Sequence, residues 1–143
     1  MATNGEKMIE LVRARSFWGV PEEAAGLCTV QDEEGRERLR LGFDAHRDAI
    51  AVIGYEAAPE TGADVCAALA ALCGLALEQP VMTAYNDLDE AVLAAALSDD
   101  GTVDEVNRPA VALAVAMLRE AIRVYARAYA EKKARGEEWH GNR

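Results

Sequence analysis

Polar and apolar residues alternate most regularly between Glu37 and Asp44, where Leu39, Leu41 and Phe43 point one way and Arg38 and Arg40 the other. A period of two predicts a strand with one face buried and one face wet. Shorter apolar runs flank it, Leu27 to Gln31 before and Ala49 to Tyr55 after, the latter carrying Ile50, Val52 and Ile53. Asp32-Glu33-Glu34-Gly35 separates the first pair and Ala45-His46-Arg47-Asp48 the second. Both connectors have turn chemistry, with Gly35 free to take positive φ. Three strands joined by tight turns predict an antiparallel meander.

Elsewhere the apolar period lengthens to that of helices. Met8, Ile9, Leu11, Val12 and Phe17 predict a short amphipathic helix over Glu6 to Phe17 that ends before Gly19-Val20-Pro21. Past the break at Pro59, Thr61 and Asp64 have capping-box spacing. Val65, Cys66, Leu69, Leu72 and Cys73 follow as one apolar stripe, with Gly74 as the expected C-cap and Pro80 in a connector. Asn86 is the expected cap of a third helix, which buries Leu88, Val92, Leu93, Ala96 and Leu97 and ends at Ser98-Asp99-Asp100-Gly101. The longest helix is expected from about Arg108 to Arg135, its seam running through Val111, Val115, Leu118, Ile122, Tyr125 and Tyr129. The expected fold is α+β: a three-stranded antiparallel meander preceded by a short helix and packed on one face by about three C-terminal helices. Residues 1–143 form one domain in this reading, with 1–5 and 136–143 as flexible tails.

Charge narrows the partners. A formal net charge of −10 argues against nucleic acid, whose phosphates need a basic surface, and disfavours an anionic membrane. It suits solubility first and a basic protein partner second. The polar start, Met1 to Lys7, and the lack of a bilayer-length apolar run make the cytoplasm the expected location.

Candidate chemistry is sparse. The three cysteines, Cys28, Cys66 and Cys73, are odd in number and form no Cys-x-x-Cys pair. Cys66 and Cys73 share the apolar stripe and are expected in the core. Cys28 alternates with Leu27 and Thr29, so it faces either the core or the open side of the sheet. The acidic pairs Glu22-Glu23, Glu33-Glu34, Asp99-Asp100 and Asp104-Glu105 lie in loops, and Asp99-Asp100-Gly101 does not continue as a calcium loop. His46 in a turn and His140 in the tail have no evident nucleophile beside them. No phosphate-cradling glycine loop is present. The chain is therefore not expected to be an enzyme.

The order of helix, meander and helices, with a cysteine on the first strand, resembles the iron–sulfur cluster assembly scaffolds of the IscU and NifU N-terminal type. The resemblance runs from about Met8 to Tyr129. Gly19 sits where that family has a glycine after its first helix, and Ala25-Gly26-Leu27-Cys28 where it has its first cysteine. Phe43 through Tyr55 is similar to its second and third strands, Val65 to Leu69 to its small-residue helix, and Arg119 to Tyr125 to its last helix. The departures fall on the ligands. The family's second cysteine falls at Glu60, its third at Ala110, and the aspartate after its first cysteine at Val30.

Such scaffolds hold iron and sulfide on thiolates. By resemblance the function is that of a divergent scaffold, binding iron or sulfur or assisting cluster transfer. The implied metal ligands are Cys28 and Glu60, and the implied cargo is an iron–sulfur cluster, iron or zinc. The implied partners are a cysteine desulfurase, a cluster acceptor or a chaperone, with a homodimer able to pair two Cys28 thiols. The alternative is a non-catalytic interaction module that keeps the fold without a cluster.

Overall fold

A computed structural model describes residues 4–98 and 103–134. The sheet is as the alternation predicts: β1 (Gly26–Gln31), β2 (Glu37–His46) and β3 (Ala49–Ala57) form an antiparallel meander in the order β1-β2-β3. Leu39, Leu41 and Phe43 are buried along one face of β2. The first hairpin turns through Asp32, whose carboxylate accepts from the backbone N–H groups of Glu34 and Arg36. Those donors hold the Asp32 carboxyl below its usual range, the Arg36 N–H contributing most. The second hairpin closes through Arg47 and Asp48 alone, both at positive φ, the geometry of a two-residue type I′ turn. Strand β2 correspondingly runs to His46, past the Asp44 that the sequence pattern marks, while β3 starts at Ala49 as expected and runs on to Ala57 at its far end.

Helix α1 spans Asn4–Ala14, α2 Ala63–Ala76, α3 Val81–Asp87, α4 Glu90–Leu97 and α5 Arg108–Ala134, the last entered through a short 3-10 turn, Glu105–Asn107. Leu69, Leu72 and Cys73 of α2 are fully buried, as are four of its alanines. This helix therefore runs through the middle of the molecule, and Val65 and Cys66 of the expected stripe are only half-buried. Burial pushes the Cys73 thiol up to about 12, so it is a neutral core residue. Helix α5 lies under β1 and β2, its Tyr125 ring tilted against Phe43 at 5.5 Å. Val111, Val115, Leu118, Ile122 and Tyr125 are buried along it and Tyr129 is half-buried, as its spacing predicts.

Several helix ends differ from expectation. Phe17 is not part of α1: Arg15 and Phe17 take positive φ, and the chain leaves the helix at Ala14. Thr61 does not cap α2; the N-cap is Gly62, with no side-chain hydrogen bond. Gly74 is inside α2, beside the Phe17 ring, which an added Cβ would meet at 3.4 Å, an ordinary van der Waals contact. The chain reverses instead at Glu78, φ 71°. Pro80 opens α3, a helix without a sequence signal of its own, and Asn86 lies inside it. The cap of α4 is Asp89, whose carboxylate accepts from the Val92 N–H at 3.0 Å. Val92 is exposed, not buried. Among the described residues, α2, α3, α4 and α5 therefore follow the sheet where the apolar pattern marked about three helices. The expected tails at 1–5 and 136–143 lie mostly, and His140, Asp99-Asp100-Gly101 and the helix end at Arg135 wholly, outside the described residues.

No helix among the described residues is long and apolar enough to cross a membrane.

Candidate functional site

Cys28 lies inside β1, opposite Leu41 of β2. Direct cross-strand partners share a face, so Cys28 shares Leu41's face, the one that α5 covers. Neighbouring Gly26 confirms the close approach of that helix, since a Cβ there would come within 2.5 Å of the Ala121 carbonyl oxygen. Cys28 packs half-buried against the core cluster. Burial raises its thiol pKa and the Glu120 carboxylate on α5 adds to the rise, so the thiol is held protonated.

Glu60 sits in the turn between β3 and α2, exposed, with Oε2 3.3 Å from Nη1 of Arg38. Arg38 is three residues from Leu41 on β2, so the two side chains leave opposite faces of the sheet. Cys28 and Glu60 are thus engaged on different sides, one by the helices and one by the wet face, Cys28 on one edge strand and Glu60 three residues past the end of the other. Ala110, where the third cysteine of the resembled family falls, is buried in the first turn of α5. Among the described residues no three His, Cys, Asp or Glu side chains are grouped to hold a metal ion.

What the structure does assemble is a pair of cavities at the β3–α2 turn. A cavity of about 210 Å³ is lined by Val12, Arg15, Trp18, Tyr55, Ala57, Ala58, Pro59, Thr61 and Cys66. A second, of about 220 Å³, lies beyond Trp18 and is lined by Glu37 to Arg40 and Glu56 to Ala58. The segment Arg15–Gly19 makes this arrangement. It runs along the outer edge of β3, where the Tyr55 N–H donates to the Phe17 carbonyl at 3.0 Å and the Gly19 N–H to the Tyr55 carbonyl at 2.8 Å. Arg15, Phe17 and Gly19 all have positive φ. Gly54 permits the contact, because a Cβ there would fall on the Gly19 carbonyl oxygen.

Trp18 then stands edge-on to Tyr55 at 5.4 Å, with the Arg15 guanidinium 5.3 Å from its ring centre. Burial pushes the Tyr55 hydroxyl up to about 12. The Cys66 thiol is also raised, by burial first and by Asp64 second. Arg15 and Trp18 carry no signal in the sequence: one falls on the polar side of a helix pattern and the other just past its end. The signal that could have marked them is Gly19, whose freedom of φ allows the strap to turn.

No family model and no curated protein matches the sequence. The fold does have a solved counterpart. A crystal structure of a putative iron–sulfur cluster assembly scaffold protein of the SUF system from the thermophile Fervidobacterium islandicum AW-1 superposes with a TM-score of 0.61 at 18% identity, over 82% of this chain and 94% of that one. The present chain therefore has the fold of an iron–sulfur assembly scaffold of that kind.

Proposed function

We propose that this chain serves iron–sulfur cluster assembly as a scaffold-fold protein that binds the protein partners of the process and assists cluster transfer, without holding a cluster inside one subunit. It is not an enzyme in this reading. The fold, shared over 94% of the scaffold structure, supports the link to assembly. The observation that carries the rest is the state of the three ligand positions. Cys28 is a protonated, half-buried thiol facing α5, Glu60 is paired with Arg38, and Ala110 has no donor. Soft thiolates hold such clusters, and this set supplies at most one. The expected partners are a cysteine desulfurase, a cluster-accepting protein or a chaperone, and the cytoplasm is the expected setting.

Anaerobic reconstitution with iron and sulfide tests this. The expected result is no visible absorbance band on the isolated chain. A stable band that disappears in Cys28→Ala would overturn the reading.

That same result would favour a second one, in which Cys28 and Glu60 ligate iron, zinc or a cluster shared with a second copy. Its support is that Cys28 lies on an edge strand, where another chain can approach.

A further inference from the structure

We infer that the cavity between Arg15, Trp18, Tyr55 and Thr61 is a binding site for a small oxyanion, a phosphate or a short carboxylate, with the Arg15 guanidinium as its cation. Exposed arginines are ordinarily just solvated, and four observations set this one apart.

First, its backbone is left-handed, φ 50°, a conformation disfavoured for a residue with a Cβ. Such strain persists where the surrounding structure imposes it, and here the imposing contact is the strap on β3. Second, the guanidinium lies over the Trp18 ring, 5.3 Å from its centre, a cation–π contact that draws the charge to the cavity. Third, Arg15 takes part in none of the carboxylate ion pairs among the described residues, in a chain whose net charge is −10. The acidic neighbours are engaged or turned away: Glu60 is held by Arg38, Glu56 by Arg40 and the Val20 N–H, and Asp64 does not line the cavity. Fourth, no carboxylate lines the cavity, and the two acidic hydrogens that do line it, on Tyr55 and Cys66, are retained at neutral pH. The wall is thus one cation, two aromatic rings, a threonine and a neutral thiol, with no carboxylate in the lining itself.

Size limits the ligand. At about 210 Å³ the cavity is below the roughly 300–1,000 Å³ of sites for drug-sized molecules, so the ligand has few atoms. A planar guanidinium beside a hydroxyl suits a carboxylate or phosphate, which it can hold through two parallel bonds. This site is independent of the cluster question, since neither Cys28 nor Glu60 lines it.

The test is a titration of the full chain with inorganic phosphate and, separately, with malonate at constant ionic strength. The Arg15 Nε–H and Thr61 amide resonances are followed by NMR. Saturable shifts confined to residues of the cavity are expected with one of the two anions, which tells phosphate from carboxylate. Arg15→Asn removes the cation while accepting the left-handed backbone, and should weaken binding at least tenfold. Arg13→Asn, two residues away in the last turn of α1 and outside the cavity lining, should leave it unchanged. No saturable shift with either anion, or equal affinity in Arg15→Asn, overturns the assignment.

Discussion

Tyr125 of α5 donates a 2.8 Å hydrogen bond to the Asp48 carboxylate, tying the longest helix to the two-residue turn that closes β2 on β3. The same turn receives the Val81 N–H on its Asp48 carbonyl, so sheet, α3 and α5 meet at one residue. Tyr125→Phe keeps the ring against Phe43 and removes the hydroxyl that makes this bond. A loss of about 1–2 kcal/mol in urea unfolding is expected, in line with a part-buried bond to a charged acceptor. No change would show that Asp48 finds an equal partner in water.

Gly54 carries the strap. A methyl group there would occupy the position of the Gly19 carbonyl oxygen, which is backbone and cannot swing aside. Gly54→Ala should therefore cost about 3 kcal/mol and release Trp18 from Tyr55. Thermal unfolding gives the first, and a red shift of Trp18 emission gives the second. A folded variant of unchanged stability would contradict the placement of Arg15–Gly19.

Glu78 stands where helices most often place glycine, one residue past the α2 cap at φ 71°. Glu78→Gly relieves the steric cost of a Cβ there and should raise stability by about 1 kcal/mol. The Glu78 N–H donates to the Ile50 carbonyl, and glycine retains that donor. Chemical denaturation of the two proteins side by side decides it.

Stability should fall in alkali. The Cys73 thiol is at about 12 in the folded chain against an ordinary value of 9.0, and the Tyr55 hydroxyl at about 12 against 10.0. Each folded value is raised, so the unfolded chain loses these protons first. The Cys73 contribution is intact below pH 9 and the Tyr55 contribution below pH 10, and each declines as pH rises from there towards 12, by up to about 1.4 kcal/mol per unit. Cys73→Ala should flatten the decline while lowering stability at neutral pH through the space it opens. An unchanged slope in that variant would show that Cys73 is not responsible.

Much of the fold is legible in the sequence, for identifiable reasons. The alternation through Leu39, Leu41 and Phe43 places β2 because a half-buried strand must alternate, and the spacing from Val111 to Tyr125 places α5 because one face meets the core. Helix ends are less legible. Thr61, Gly74 and Asn86 have the right chemistry for caps, yet Gly62, Glu78 and Asp89 stand at the ends. Gly74 shows why: the helix runs on past it because Leu72, Cys73 and Ala76 on either side are held in the core. The short α3 lacks both a cap and a clear period.

The site is least legible. Cys28 and Glu60 are visible as residue types, but which face each uses depends on the register of β1 with β2 and on Arg38. Arg15 and Trp18 reach their cavity only through a strap of left-handed residues, which no local pattern announces.

Binding to a partner of cluster assembly tests the central proposal most directly. The isolated chain is titrated by calorimetry with the cysteine desulfurase of an assembly system, in the absence of iron, then again with a three-cysteine scaffold of the same fold as competitor. Saturable binding that the competitor displaces is expected. No binding to the desulfurase, with the competitor shown to bind under the same conditions, would contradict a role for this chain at that step.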